Sequence, residues 1–150
     1  MVETALELPL AGLLVIDLST FLAGPFCAAL LGDFGAAVIK VELPGSGDSL
    51  RRLGRRRGHS SLWWRQEGRN KKSLTCDLRH PEGQEILRRL VAVSDVLVEN
   101  FQPGTLERWN LGYDELARIN RGLIMARISA YGQTGPLAPK PGFGRIAHAF

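Results

Sequence analysis

The sequence is poor in the residues that build disulfides, zinc sites and membrane spans. It contains two cysteines, Cys27 and Cys76, which stand in neither a CxxC nor a Cys/His spacing. This excludes a disulfide framework or a structural zinc site and is typical of a reducing compartment. No apolar run approaches the ~20 residues that span a bilayer, and Glu3 and Glu7 stand where a signal peptide would be basic. We therefore expect a cytoplasmic protein with no membrane partner and no bound metal.

Common catalytic templates are absent as well. Between the first predicted strand and helix there is one glycine instead of the GxGxxG of dinucleotide-binding folds, and neither GxxxxGK[ST] nor GxSxG occurs. The histidines His59, His80 and His148 are isolated and show no ligand spacing. His80 is predicted to stand at a helix entrance before Pro81, and His148 to be structural. Patterns alone indicate no assembled catalytic site.

The sequence does contain a regular alternation of strand and helix signals. With 150 residues, 45% of them hydrophobic, it is long enough for one domain with a substantial core. The predicted strands are 12–17, 37–42, 73–77, 95–99 and 123–128, and the predicted helices are 24–34, one from Pro81, 106–109 and 113–120. This order predicts an α/β domain with a mostly parallel sheet and helices on both faces. Ligands of such sheets bind beyond the carboxyl ends of the strands, so we expect the site in the loops after Asp17, Glu42, Glu99 and Ile128.

Positive charge is concentrated in one segment. Residues 51–72 hold nine Lys or Arg and one acid, a net charge of +8, whereas residues 1–50 carry −5. Such a block predicts either a solvated basic loop or an anionic partner, such as a phosphorylated ligand. Trp63 and Trp64 interleave with the bases, as stacking platforms for nucleic acid would. Because no recognition helix, zinc finger or other nucleic-acid motif accompanies them, we expect no nucleic-acid partner.

A series of ordered, correctly spaced segments covers nearly the whole chain. These segments are 10–19, 23–25, 31–42, 45–48, 70–73, 77–83, 95–108, 111–113 and 128–136. The most diagnostic segment is 95–108, with the sequence Asp-Val-Leu-Val-Glu-Asn-Phe-Gln-Pro-Gly-Thr-Leu-Glu-Arg. These segments resemble the family III CoA-transferases (the CaiB/BaiF family), which include formyl-CoA transferase-like enzymes and α-methylacyl-CoA racemases.

The resemblance implies a Rossmann-like large domain, of which residues 1–150 would be the N-terminal part, with the rest of the large domain and a small domain outside this sequence. It implies transfer of CoA from an acyl-CoA to a carboxylic acid through a covalent aspartyl intermediate. The nucleophilic aspartate would lie beyond residue 150, so no catalytic residue is assigned here and the fragment alone is expected to be inactive. No metal or permanently bound cofactor is implied; the CoA thioester is a substrate. Family members are interlocked homodimers.

The resemblance also assigns CoA-binding positions. The expected residues are Phe21, Leu22, Ala23, Lys71, Lys72, Asn100, Phe101, Arg108, Tyr131 and Lys140. Positions 21–23 would lie at the pantetheine and active-site pocket, and the basic side chains near phosphate. For each there is a structural alternative: turn packing, core packing or surface charge. One departure is Leu43, where many relatives carry a basic residue at the adenine end of CoA; Arg51 or Arg52 is predicted to supply that charge.

Two alternative functions remain open. One is an α-methylacyl-CoA racemase, but the racemase branch places a histidine in a Gly-His-Asp triplet where this chain has Gly142-Phe143-Gly144, and Phe cannot carry a proton. The other is a non-catalytic CoA-binding subunit of a heteromeric transferase. For the transferase itself, the basic segment with Trp63 and Trp64 favours a dicarboxylic acceptor.

Overall fold

The fold is a five-stranded parallel sheet with a small separate hairpin. The computed structural model describes residues 8–144. In chain order the strands are β1 (Leu14–Asp17), β2 (Ala37–Glu42), β3 (Arg56–Arg57), β4 (Ser60–Ser61), β5 (Lys71–Thr75), β6 (Val96–Glu99) and β7 (Ile124–Arg127). The sheet has the order β5-β2-β1-β6-β7, and β3 pairs with β4 in the antiparallel hairpin. From β1 the chain adds β2 and β5 on one side of the sheet and then returns to add β6 and β7 on the other side. The switch point therefore lies between β1 and β6, and open α/β sheets bind ligands at such a point.

Helices cover both faces of the sheet. They are α1 (Ala23–Asp33), α2 (Leu62–Glu67), α3 (Pro81–Val91), α4 (Thr105–Arg108) and α5 (Tyr113–Ile119). Because successive strand residues point to opposite faces, Val15 packs in the cluster that contains Ala28 of α1, whereas Ile16 packs in the cluster that contains Leu87 of α3 and Leu116 of α5. The predicted α/β architecture with helices on both faces is confirmed.

Element boundaries differ from the sequence predictions in identifiable ways. β1 begins two residues later than predicted because the Leu13 N–H donates to the Leu10 carbonyl (3.2 Å), which makes 10–13 a turn. The predicted strand 73–77 is wrong by two residues: β5 spans Lys71–Thr75 and pairs with β2 from Val38 to Glu42. β5 is an edge strand with mostly polar side chains, so its hydrophobic pattern is weak and does not define its limits.

The basic segment is structured rather than an open loop. A 3-10 turn at Ser49–Arg52 is capped by Asp48, whose Oδ1 accepts from Leu50 N (2.9 Å). Ser61 caps α2 by accepting from Trp64 N (3.3 Å). Its hydroxyl also donates to the Leu53 carbonyl (2.6 Å), which joins the turn to the hairpin.

Within residues 8–144, no helix is long and apolar enough to cross a membrane. His80 is the N-cap of α3, as predicted from the Pro81 that follows it. His148 lies outside the described residues.

Candidate functional site

The loops that follow β1 and β6 are tied together at the carboxyl edge of the sheet. The Thr20 N–H donates to Asn100 Oδ1 (2.8 Å), and Asn100 Nδ2 donates to the Thr20 carbonyl (2.7 Å). Gly24 lies against this pair, because a Cβ there would overlap the Ser19 side chain and lie 3.5 Å from Asn100 Cγ. The reciprocal hydrogen bonds therefore fix both loops at the point where the sheet order reverses, and bring the predicted site residue Asn100 to the loop 20–23.

Phe21 holds an unusual backbone conformation in this loop. Its φ is +68°, a region that bulky residues rarely adopt. Its N–H donates to Asp48 Oδ1 (3.2 Å), and its ring meets the edge of Phe143 with centroids 6.2 Å apart. Leu22 and Ala23 follow as the N-cap and first residue of α1. Three predicted site residues thus form one loop that contacts Asp48 on one side and Phe143 on the other.

A chain of buried charges lies beneath these loops. Asp17 pairs with Lys71 (2.8 Å) and with Lys40 (3.5 Å), and Lys40 also lies 3.4 Å from Asp48; each of the four side chains is at most 2% exposed. Lys71 Nζ also donates to the Pro25 carbonyl (2.7 Å). Burial lowers the pKa of Lys71, and Asp17 opposes that shift. Lys71, predicted to lie near phosphate, therefore directs its ammonium group into the protein and links β5 to β1 and α1.

Glu42, at the end of β2, is a second buried anion with several donors. It accepts from Arg51 Nε (2.7 Å) and Nη2 (2.6 Å), from the Asp48 N–H (2.9 Å) and from the Ser73 hydroxyl (2.8 Å). Burial alone would raise the pKa of Glu42, but these hydrogen bonds lower it to about 2. The Arg51 guanidinium also lies over the Trp64 ring, 3.8 Å from its centroid. Glu42 is therefore ionised and holds Arg51 in place.

A cavity of about 390 Å³ opens beside these groups at the carboxyl edge of the sheet. Phe101 and Trp109 line it, with ring centroids 5.6 Å apart and ring planes at 71°. Arg52 and Arg79 add two guanidinium groups, and Leu43 lines the cavity as well. Of the residues predicted to bind CoA, Phe101 is the one that lines this cavity. Lys40, Glu42, Asp48 and Asp77 line it too, so the cavity combines apolar surface with charged groups of both signs, and small-molecule sites likewise combine apolar surface with a few polar groups.

The sequence analysis missed Arg79 and Trp109. Arg79 stands four residues after the end of β5 at Thr75, in a loop that the sequence analysis did not include among the expected site loops. Its Nε and Nη2 donate to Asp77 (2.8 and 2.6 Å), which lowers the pKa of Asp77. Arg52 donates to the Ser46 carbonyl, and within residues 8–144 no carboxylate pairs with it. Of the two arginines predicted to compensate for Leu43, Arg52 is therefore the one at the cavity.

The remaining predicted residues lie outside this cavity. Lys72, Arg108 and Lys140 are exposed, and Tyr131 is half-buried. Arg108 Nη2 donates to the Thr105 hydroxyl (3.0 Å) within α4. The contacts of these four residues with a ligand stay a prediction.

The Phe101 backbone is held by another buried carboxylate, that of Glu99. Glu99 Oε2 accepts from the Phe101 N–H (2.7 Å), and its Oε1 accepts from Arg127 Nε (2.8 Å). Arg127 also pairs with Glu107 of α4 (2.6 Å), and this hydrogen bond lowers the pKa of Glu107. The pairs join β6, β7 and α4. In the part of the chain that the structure describes, no group of three or more His, Cys, Asp or Glu residues is arranged to hold a metal ion.

A parallel α/β sheet with a cavity at its switch point defines a ligand-binding α/β protein. The sequence matches CoA-transferase family III over residues 10–150, and the chain belongs to this family. The fold agrees: the crystal structure of a CAIB/BAIF family protein from Brucella suis superposes with a TM-score of 0.87 at 41% identity, covering 93% of this chain and 38% of that one.

Characterised relatives are named CoA-transferases. The chain is 57% identical over 147 residues to the succinyl-CoA–L-malate CoA-transferase beta subunit of Chloroflexus aurantiacus, covering 97% of this chain and 36% of the relative. It is 44% identical to the succinyl-CoA:glutarate CoA-transferase of Homo sapiens, covering 94% of this chain and 32% of the relative. The chain therefore spans about a third of the length of these relatives.

Proposed function

We propose that this chain is the N-terminal part of the large domain of a cytoplasmic enzyme that transfers CoA from an acyl-CoA to a carboxylic acid. The observation that carries the proposal is the cavity at the switch point of the sheet, with Arg52, Arg79 and two aromatic rings in its wall, in a chain of CoA-transferase family III. Arg79 already pairs with Asp77, whereas Arg52 pairs with no carboxylate among residues 8–144, and a guanidinium binds phosphate through paired donors. Aromatic rings provide stacking surfaces for a base. Both features suit the nucleotide end of CoA.

The reaction proceeds by acyl exchange at one carboxylate of the enzyme. An aspartate beyond residue 150 attacks the acyl-CoA carbonyl carbon and displaces CoA as a thiolate, which leaves a mixed anhydride on the enzyme. The thiolate attacks the aspartyl carbonyl, which releases the donor carboxylate and leaves an enzyme–CoA thioester. The acceptor carboxylate attacks that thioester, and the released thiolate then attacks the acceptor carbonyl and regenerates the aspartate. Each step is nucleophilic substitution at an acyl carbon, so no metal or permanently bound cofactor takes part.

The residues of this chain bind and orient CoA in that scheme. Asn100 and the loop 21–23 lie at the switch point, which supports the proposal that they contact the pantetheine arm. Lys72, Arg108, Tyr131 and Lys140 are further proposed contacts. Lys71 acts through Asp17, because its ammonium group is buried against that carboxylate. No residue among 1–150 is assigned as the nucleophile.

The proposed acceptor is a dicarboxylic acid. Relatives are named as transferases of malate, citramalate, glutarate and oxalate, and each of these acids carries two carboxylates. A net charge of +8 in residues 51–72 provides cationic groups for the carboxylate that does not receive CoA.

We propose that the intact enzyme is an interlocked homodimer. A heteromeric enzyme is the second candidate, because relatives of 57% and 53% identity are named beta and alpha subunits of one CoA-transferase. Expression of the intact protein alone separates the two: a dimer with transferase activity supports the homodimer, and an inactive protein that gains activity with a second homologous chain supports the heteromer.

Racemase activity is the disfavoured alternative. The racemase triplet carries a histidine where this chain has Phe143. The ring of Phe143 packs on Phe21. An enzyme that exchanged the α-proton of an α-methylacyl-CoA for deuterium without an acceptor acid would contradict the transferase assignment.

The experiment for the transferase is a matrix of acyl-CoA donors against carboxylic acids with the intact protein. We expect succinyl-CoA to support formation of a new CoA thioester with a dicarboxylic acid. We also expect the protein incubated with donor alone to carry a covalently bound acyl or CoA group, which intact-mass measurement detects and hydroxylamine removes. Absence of transfer for every donor and acid would reject the proposal.

A further inference from the structure

A second cavity lies within the basic segment, separate from the one at the sheet edge. Its volume is about 400 Å³. Its lining residues are Arg51, Arg57, His59, Ser60, Trp64 and Arg65, and no acid is among them. Glu42 balances the charge of Arg51. In contrast, among residues 8–144 no carboxylate lies within 4.0 Å of the guanidinium of Arg57 or Arg65.

Local sequence explains why these side chains meet. In the hairpin, Arg57 of β3 pairs with Ser60 of β4 across a two-residue turn, in which Gly58 has a φ of +62°. Helix α2 begins directly after β4, which places Arg65 so that its Nε donates to Ser60 Oγ (3.2 Å). The hairpin, α2 and the 3-10 turn thus direct basic side chains to one cavity.

The chemistry of this cavity suits a carboxylate. No carboxylate of the described part of the chain pairs with Arg57 or Arg65, and a guanidinium presents paired donors that match the two oxygens of a carboxylate. The Ser60 hydroxyl accepts from Arg65, so its own proton is available to an oxyanion. Trp64 is partly covered by Arg51 and provides a rigid apolar wall for a short carbon chain. These groups match the chemistry of one carboxylate carried on a short carbon chain.

We infer that this cavity binds the distal carboxylate of the dicarboxylic acid, the one that does not receive CoA, through Arg57 and Arg65. The inference rests on the proposed function and goes further, because it names the residues that distinguish a dicarboxylic from a monocarboxylic acceptor. Arg51 belongs to the wall, where Glu42 already occupies its donors.

The test uses two acids, glutarate and pentanoate, of which glutarate alone has a distal carboxylate. Both acids are tested with the intact protein and with two variants, Arg57→Gln and Arg65→Gln. Glutarate affinity is measured by calorimetry, and kcat/KM for each acid with succinyl-CoA as donor. We expect each substitution to weaken glutarate binding about 10- to 100-fold, the effect of losing a charged hydrogen-bond donor. We expect pentanoate kinetics to change little. Arg55→Gln is the matched control, since Arg55 belongs to the same exposed segment but does not line the cavity.

The outcomes separate the inference from the proposed function. If both variants bind glutarate as the unmodified protein does while transfer continues, or if the unmodified protein does not bind glutarate, the inference is rejected. If the variants lose glutarate binding but no CoA transfer occurs with any donor, the carboxylate site stands and the transferase assignment fails. An equal loss with Arg55→Gln would indicate general charge attraction and would also reject the site.

Discussion

The substitution Glu42→Gln tests how the buried charges stabilise the carboxyl edge of the sheet. Glu42 is 5% exposed and accepts hydrogen bonds from Arg51, Asp48 and Ser73. A glutamine of the same shape has one acceptor oxygen and turns an NH₂ group toward these donors. The substitution therefore removes the negative charge of the side chain and breaks part of its paired contact with Arg51. It also places the new NH₂ donor against the donors that Glu42 had accepted from.

The pKa of Glu42 sets the size of the effect. A pKa of about 2, against an ordinary value of 4.5, corresponds to at most about 3 kcal/mol of stabilisation at neutral pH. Arg51 is 39% exposed, and solvent screening reduces this figure. We expect Glu42→Gln to lower the free energy of unfolding by about 1–3 kcal/mol at pH 7, measured by urea denaturation of the intact protein.

The pH dependence gives the sign of the effect. Because the pKa of Glu42 is lower in the folded state than in the unfolded chain, its contribution is full above about pH 5 and is lost as the pH falls from 4.5 toward 2. The difference between the unmodified protein and Glu42→Gln should therefore shrink over this range. Glu85→Gln is the control, since Glu85 forms an exposed pair with Arg89 and should change stability little. A difference that is absent at pH 7, or that stays constant down to pH 3, would refute the reasoning.

Two further variants test the site at the sheet edge. Arg52→Gln should raise the Kd of CoA about 10-fold in a calorimetric titration, because its guanidinium lines the cavity; an unchanged Kd, equal to that of Arg55→Gln, would remove Arg52 from the site. Gly24→Ala should lower the free energy of unfolding by about 1–3 kcal/mol, because its Cβ would overlap the Ser19 side chain. Gly122→Ala, where the nearest atom is 3.4 Å from the added Cβ, serves as control, and equal stability of the two alanine variants in thermal denaturation would contradict the packing argument.

The architecture could be predicted because its signal is local. The apolar runs of β1, β2 and β6 and the Pro and Gly residues at helix ends are each read from a few neighbouring residues, and the parallel sheet follows from their order. β5 was misplaced because an edge strand with polar side chains lacks that signal. Arg79 was missed for a different reason: it lies in the loop that follows β5 and lines the cavity, and the sequence analysis did not include that loop in the expected site.

The buried pairs could not be predicted because they depend on which strands are neighbours. Lys71 is 54 residues from Asp17 in sequence, and the two meet because β5 and β1 flank β2. A lysine in a basic stretch is predicted to face solvent or an anionic ligand; here the anion is Asp17. Asn100 was identified through resemblance, and its hydrogen bonds with Thr20 depend on the adjacency of β1 and β6.

The 3-10 turn at Ser49–Arg52 connects the two cavities. Arg52 lines the cavity at the sheet edge, whereas its neighbour Arg51 lines the cavity of the basic segment. Glu42 lines the first cavity and holds the arginine of the second, so one carboxylate supports both walls. Under the proposed function, Glu42→Gln should therefore weaken the binding of CoA and of glutarate together, whereas Arg52→Gln affects CoA alone and Arg57→Gln affects glutarate alone. Loss of only one ligand in Glu42→Gln would show that the two cavities are independent.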